Sequence, residues 1–370
     1  MKAKTKLFFF DKIILWLNVL LCLSLITSYF ASFVDPQKIW EFAFFGLAYP
    51  FLLIANLITV IYWLFRKKWY ALVSIVCIAC GWNVLNNNIG FRIQQSYSYA
   101  PNQDIVRMMT YNVHNFKRYG SKNDVSTKHE ILDIISQQHP DIIGFQEFYT
   151  RKQGQYDMRD SIVKIMGSGY YYFEPIIFNA SEAIGLAIFS KFPITGTGLI
   201  SFSDKKSENA CIYIDVKKGD RNFRVYSVHL QSIRFDPEDY KYMNSITGDG
   251  KADKSSARRL GSKLKIAFIK RSAQVVKIKA HAAHCLYPYI ISGDFNDTPA
   301  SYAVNEMAKG LKNAFREQGS GFGRTYNGNF PNFQIDYIMA SPQFNVLSYL
   351  IIQKKLSDHY PVRSDLQLVH

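Results

Sequence analysis

The chain has 370 residues, 48% of them apolar and 15% aromatic, with 44 Lys and Arg against 29 Asp and Glu, a formal net charge of +15. That apolar content excludes an intrinsically disordered chain, and five cysteines in this length exclude a disulfide scaffold. The mean hydropathy of −0.08 reads as a plain soluble protein only because the apolar residues are gathered near the N-terminus.

Ile13 to Val34 and Phe42 to Phe65 run 22 and 24 residues without a charge, and Trp69 to Phe91 runs 23. A bilayer core takes about 20 apolar residues of helix, so three membrane spans are expected, at about 13–34, 42–65 and 69–88. The third is the weakest, because Asn86, Asn87 and Asn88 follow its apolar part; its other reading is a re-entrant or interfacial helix. Pro50 is expected to kink the second span or mark its start. The first apolar run is longer than a signal-peptide core and is read as retained. Lys2, Lys4, Lys6 and Lys12 precede it, Arg66, Lys67 and Lys68 follow the second, and the loop from Asp35 to Glu41 holds only Lys38. The positive-inside rule then puts the N-terminus in the cytoplasm. With three spans this is a multi-pass protein whose large domain is extracytoplasmic; with two, that domain is cytoplasmic. Cys77 and Cys80 have a CxxC spacing, but within an apolar helix they read as packing residues, and a bond between Cys211 and Cys285 stays open.

Residues 1–91 therefore form the anchor, 92–103 a polar linker, and 104–370 one large domain. Strands are expected at Ile105–Asn112, Asp141–Gln146, Gly185–Phe189, Ala210–Val216, Phe223–Leu230, Tyr289–Ser292, Ile335–Ala340 and Val346–Ile352. Helices are expected at Ser126–Gln138, Asp157–Met166, Ser255–His281 and Ala300–Lys309. Such an alternation makes an α/β unit.

Polar residues recur where these apolar strands end: Asn112, Glu147, His229, Asp294 with Asn296, Asp336, and Asp358 with His359. Singly, each has a plain structural reading as a helix cap, a turn residue or a satisfied core histidine. Together they would need independent reasons to occupy strand ends, the place where α/β sheets display chemistry. No GxSxG elbow, phosphate-cradling GxxxxGK[ST] loop or HExxH zinc motif is present. The hard oxygen donors Glu147, Asn112 and Asp358 suit Mg²⁺, with Mn²⁺ and Ca²⁺ as alternatives. Imidazoles backed by carboxylates suit proton transfer near neutral pH. Metal-assisted attack of water on a phosphoester uses that combination.

The segments MTYNVHNF, DIIGFQEF, IFSKFPI, YSVHLQS, ISGDFNDTPAS, QIDYIMAS and LSDHYPV follow in order between residues 108 and 363. On these the chain resembles the endonuclease/exonuclease/phosphatase superfamily, the deoxyribonuclease-I-like fold. The resemblance implies a four-layer sandwich, two β-sheets packed face to face and flanked by helices, and a divalent-metal phosphoesterase. Carried over by position, it implies that Glu147 ligates the metal with help from Asn112 and Asp358. His359 becomes the general base or a phosphate-binding imidazole oriented by Asp336. Asp294 aligns the attacking water, Asn296 donates to the phosphate, and His229 is a candidate general acid. The amide and hydroxyl usual before that histidine are replaced by Ser227 and Val228, which puts its surroundings in doubt. His114 and Asn115 either add ligands or only shape a loop, and the loop reading is preferred.

The substrate class stays open between nucleic acid and a phospholipid or sphingolipid headgroup, cleaved as a phosphodiester. Phosphomonoesterase action on inositol phosphates is an alternative, and a catalytically silent membrane-tethered scaffold is another. Residues 92–370 hold 36 Lys and Arg against 26 Asp and Glu. Many lie between Lys241 and Lys279, including Lys251, Lys254, Arg258, Arg259, Lys263, Lys265, Lys270 and Arg271. That segment reads as a solvated basic helix face, a collar against anionic lipid, or a nucleic-acid track. The aromatic clusters Tyr170–Phe173 and Tyr326–Phe333 read as packing, or as surfaces for bases or headgroups. The bilayer and a phosphoester substrate are the expected partners.

Overall fold

The computed structural model describes residues 7–92, 104–117, 125–203, 207–249, 253–328 and 333–369. Lys2, Lys4, Lys6, Lys251, residues 93–103 of the expected linker and residues 329–332 of the second aromatic cluster lie outside these.

The N-terminal segment folds as α1 (Phe9–Phe30), α2 (Glu41–Phe65), α3 (Ala71–Cys80) and α4 (Trp82–Asn88), followed by the short strand β1 (Ile89–Phe91). Two of these helices, α1 and α2, are long and apolar enough to cross a membrane. Pro50 lies inside α2 rather than at its start. The third expected span is not one straight helix, because α3 and α4 meet at a 72° bend; only if the pair is counted as one span are there three. The bend falls at Gly81. A Cβ there would lie 2.1 Å from Tyr29 Cζ, so glycine lets the ring close on the break, and Tyr29 Oη donates to the Cys77 carbonyl at 2.9 Å. Buried polar side chains tie the helices together. Asn18 Nδ2 donates to Ser74 Oγ (2.6 Å), Trp63 Nε1 to Asn18 Oδ1 (2.9 Å), and Ser74 Oγ to Asn56 Oδ1 (3.2 Å).

Beyond residue 104 the elements in order are β2 (Ile105–Asn112), α5 (Val125–Gln138), β3 (Ile142–Arg151), α6 (Met158–Met166), β4 (Tyr170–Phe178), β5 (Glu182–Ser190), β6 (Ile194–Ser201), β7 (Ala210–Lys218) and β8 (Arg221–His229). Then come α7 (Pro237–Asp249), α8 (Lys254–Ala283), β9 (Tyr289–Asp294), α9 (Tyr302–Ala308), β10 (Lys312–Asn313), α10 (Ala314–Gln318), β11 (Ser320–Phe322), β12 (Asp336–Ala340), β13 (Phe344–Val346), β14 (Leu350–Ile351) and β15 (Val362–Leu368). One sheet has the order β13-β15-β2-β3-β5-β4, with β14 also on β15, and the other β10-β12-β9-β8-β7-β6.

The alternation of side chains along each strand builds the layers. Val106 and Met108 of β2 point between the sheets, where they join Ile188, Ile214, Val225 and Ile338. Met109 and Tyr111 point outward to Ile131 and Ile135 of α5 and Ile162 of α6. On the far face, Val228 and Ile291 meet Val275 and Ile278 of α8 and Val304 of α9. Strands covered on both faces are buried at nearly every position, as β2 and β9 are, and the one charge within β2, Arg107, is paired with Asp365. The result is the expected four-layer sandwich. Cys211 is buried in the outer core and Cys285 half-buried, and both are free thiols.

The helical segment docks on the sandwich at the loop joining α1 and α2. Ser272 Oγ of α8 donates to Asp35 Oδ1 (2.6 Å), Gln37 Nε2 donates to Ser272 Oγ (3.1 Å), and Lys265 Nζ lies 4.4 Å from the centre of the Trp40 ring. Phe44 of α2 packs edge-on against Phe268 of α8 at 5.3 Å. At the other end, Asn87 Nδ2 donates to Asn305 Oδ1 (3.3 Å), and β1 pairs antiparallel with β11.

Candidate active site

Each sheet holds one parallel strand pair near its centre. Register sets Asn112 beside Gln146 across β2 and β3, and His229 beside Asp294 across β8 and β9. The C-terminal ends of such strands leave a crevice for chemistry. Antiparallel β12 sets Asp336 opposite Asp294, and the connection from β14 to β15 delivers Asp358 and His359, with the His359 backbone bridged to Tyr326. Glu147 owes its direction to a bulge: β3 shifts register between Phe145 and Phe148, and Glu147 takes φ +52°. A bulge re-aims one side chain and ends the regular pairing.

All eight residues singled out in the sequence meet here. Asn112 Nδ2 donates across the sandwich to Asp294 Oδ2 (3.2 Å) and along its own sheet to Glu147 Oε1 (3.3 Å). His359 Nδ1 donates to the Asp336 carboxylate (2.9 and 3.1 Å), which leaves Nε2 3.7 Å from Asp294 Oδ2. His229 Nδ1 donates to the Glu208 carbonyl (3.1 Å); its Nε2, 3.6 Å from Asp294 Oδ2, is buried with no hydrogen-bond partner among the described residues. Ser357 Oγ donates to the Asn112 carbonyl (2.8 Å), fixing the loop that carries Asp358. Glu147, His229, Asp294, Asn296, Asp358 and His359 line one cavity of about 590 Å³.

Two placements differ from the sequence expectation. Asn296, expected to donate to phosphate, has its amide committed to the Leu230 carbonyl (3.1 Å) and Asp294 Oδ2 (3.1 Å). Its main-chain N–H donates to Asp294 Oδ1 (2.8 Å), so in this geometry it braces that carboxylate. His114 does more than shape a loop: its Nδ1 lies 3.6 Å from both Glu147 Oε2 and Asp358 Oδ1. The tight turn at His114, Asn115 and Phe116, all with φ between +43° and +58°, aims it there, and a turn of that kind leaves little trace in sequence.

Arg271, counted with the basic segment, is not on a surface face. It is buried, ion-paired with Asp297 (3.1 Å) and hydrogen-bonded to the Asn296 carbonyl. Arg259 and Lys263 of the same segment pair with the buried Asp239 (2.9 and 2.6 Å).

The carboxylates and imidazoles set one another's charge. Burial alone would raise the Glu147 pKa, but His114, His229 and His359 hold it down to about 2. Burial alone would lower that of His359, yet the Asp336, Asp294 and Asp358 carboxylates carry it well above the ordinary value. His114 is raised in the same way, against its burial, by Glu147 and Asp358. Asp294 goes up, mainly through burial, with the two imidazoles opposing. Carboxylates in one site with opposite shifts are a pattern of acid–base chemistry.

The donor chemistry fits a divalent cation. Glu147 and Asp358 are partly exposed to the cavity, and an anionic oxygen pair with an amide is what hard cations take. A second group, Asp294, Asp336 and His359, has donor atoms within 4.8 Å of one another. It is buried, and its His359 Nδ1 is already committed to Asp336, which makes it a hydrogen-bonded relay rather than a cage.

Comparison with known proteins agrees with this fold. The endonuclease/exonuclease/phosphatase family model matches residues 109–359, and a domain of unknown function matches residues 11–88. No curated protein matches the sequence. Among solved structures, the chain is similar to an endonuclease/exonuclease/phosphatase from Beutenbergia cavernae, at 17% identity over 72% of each chain with a TM-score of 0.50. It is similar to the human Nocturnin catalytic domain with bound sulfate anion, at 19% identity over 73% of this chain and 96% of that one, with a TM-score of 0.52. A third likeness is to a family protein from Bacteroides vulgatus, at 18% identity over 71% and 99% of the two chains, with a TM-score of 0.50. At these identities the structures show the fold, and the family model, which spans most of the chain, shows the kinship. This chain belongs to the endonuclease/exonuclease/phosphatase family.

Proposed function

We propose that the protein is a membrane-anchored, divalent-metal-dependent phosphoester hydrolase. The observation that carries the reading is the convergence of Asn112, Glu147, His229, Asp294, Asp358 and His359 from the ends of both sheets into one crevice. Glu147 and Asp358, with Asn112, would hold the metal, Mg²⁺ in the first instance, which when bound neutralises phosphate oxygens and polarises the phosphorus. His359, kept protonated by Asp336, donates from Nε2 to a non-bridging oxygen. Asp294, its basicity raised by burial and its oxygens fixed by Asn296, orients the water and accepts its proton as the new P–O bond forms. The bond from phosphorus to the leaving oxygen breaks, and His229 Nε2 is placed to return a proton to that oxygen. Asn112 couples Glu147 to Asp294, so both ends of the reaction share one frame.

The docking contacts support an extracytoplasmic hydrolase unit. The sandwich sits at the Asp35–Glu41 loop, through Asp35, Gln37 and Trp40, while Lys12, Arg66, Lys67 and Lys68 mark the opposite ends of α1 and α2. Under the positive-inside rule the hydrolase unit is then extracytoplasmic, which requires the bent α3–α4 pair to carry the chain across as a third span.

The test is a panel. The purified full chain is offered DNA, RNA, phospholipid and sphingolipid dispersions, inositol phosphates and a chromogenic phosphodiester, with Mg²⁺ and with chelator. Turnover of at least one phosphoester that stops in chelator is expected. Absence of metal-dependent turnover on every substrate would leave the silent scaffold as the better reading.

A further inference from the structure

The cavity that holds the polar cluster has a second wall that hydrolysis of a phosphate does not require. Phe44, Leu47 and Phe51 of α2 face Ile233 after β8, and Leu264 and Phe268 of α8 complete the apolar side. The guanidinium groups lining the cavity, Arg234 and Arg271, are each paired with a carboxylate, Glu208 (3.1 Å) and Asp297 (3.1 Å). A polyanion entering here would meet mostly hydrocarbon and cations already neutralised. On α2, Leu47 and Phe51 belong to the same stripe as Ile54 and Ile58, at spacings of four, three and four residues, which share one helix face. Phe51, Ile54 and Ile58 are more than half exposed on this helix, so the apolar wall continues from the cavity onto surface that a bilayer would cover. The cavity is of a size that takes a headgroup and the first part of a chain.

We propose that the substrate is a lipid phosphoester that enters sideways from the bilayer, its phosphate at the polar cluster and its hydrocarbon chain along the Leu47–Phe51–Ile54 stripe of α2. This rests on the hydrolase reading above and adds to it the class of substrate and the role of a membrane helix as one wall of the site. Water attacks phosphorus, its proton goes to Asp294, the bond from phosphorus to the leaving oxygen breaks, and that oxygen takes a proton from His229 and is released as the alcohol, the proton on Asp294 restoring His229 across their 3.6 Å separation.

The full chain in alkyl maltoside micelles, which carry no phosphate, is given ethyl, hexyl and decyl p-nitrophenyl phosphates below their own micelle concentrations. Each hydrolysis yields the alkyl phosphate and nitrophenol, so the leaving group is constant and only the chain differs. We expect kcat/KM to rise at least about tenfold from ethyl to hexyl, the direction set by methylene burial. Ala48→Trp, which fills the apolar wall, should flatten the series; if that variant does not fold, the wild-type series decides alone. Equal turnover of all three esters overturns the lipid reading and leaves the hydrolase intact. Turnover of none of them, nor of the panel above, removes the hydrolase itself. An oligodeoxynucleotide cleaved with a higher kcat/KM than the decyl ester overturns the lipid reading in favour of a nuclease.

Discussion

At the scale of single residues, the site is a small network of charges that hold one another in place. His359 is the clearest case: its pKa is raised, against its burial, by Asp336, Asp294 and Asp358. A raised histidine stabilises the fold fully below its unfolded value of about 6.5, and that contribution is lost as pH climbs through the higher folded value. In chelator, the thermal midpoint of the wild type should therefore decline above neutral pH, and Asp336→Asn should remove most of that decline. An unchanged profile in Asp336→Asn would mean that the pair does not hold the imidazole's charge. Glu147 has the opposite sign, with a folded value of about 2 against 4.5. Its contribution is present above 4.5 and lost as pH falls toward 2, so Glu147→Gln should flatten acid unfolding over that window. Asn112, Glu147, His229 and Asp294 were legible in sequence because each follows an apolar run, whereas Asp336 opens β12, and Asp358 and His359 lie between β14 and β15. His114 was not legible, since the turn that aims it is a matter of backbone angles, and neither was the commitment of the Asn296 amide, which depends on a carbonyl 66 positions away.

At the scale of elements, the buried centre of each sheet was readable and the edges were not. β2 runs over the residues expected, while β3 continues past the expected Gln146 to Arg151, because a bulge at Glu147 interrupts a strand without ending it. The edge strand β4 carries Pro175 and the aromatic cluster Tyr170–Phe173, which the sequence reading did not place in a strand. An edge strand of the second sheet, β6, is broken in pattern by Gly196 and Gly198, and β4 and β6 both carry residues that central strands avoid. β15 was missed because its buried positions include Ser364 and, on the opposite face, Asp365, which pairs with Arg107 at 2.7 Å. The join of β8 to β9 depends on Gly293, which has φ +139° and where a Cβ would lie 2.1 Å from the Val228 carbonyl oxygen. Gly293→Ala should destabilise the protein by about 1–3 kcal/mol through strain and strand separation, and should lower turnover by moving Asp294. Chemical denaturation measures the first effect, and a wild-type midpoint would contradict the close packing.

At the scale of the whole molecule, the charge of +15 resolves into separate roles. Lys12 and Arg66–Lys68 mark one end of the helical segment, and much of the α8 cation density is spent on Asp236, Asp239 and Asp297. No sequence pattern could show that α2 forms a wall of the cavity, because that follows from docking between segments more than two hundred residues apart. The same docking predicts topology. A reporter that fluoresces only in the cytoplasm, fused after His370, should stay dark; fluorescence would place the sandwich on the side of Lys12 and overturn the orientation. The central claim, that these strand ends form a phosphoester-hydrolysing site, is tested most directly by turnover of a chromogenic phosphodiester in Mg²⁺ by the wild type, Glu147→Ala and His359→Ala. Each variant should remain folded and lose about 10² to 10⁴-fold in rate, the usual scale for such groups. Wild-type turnover by either folded variant would contradict the account.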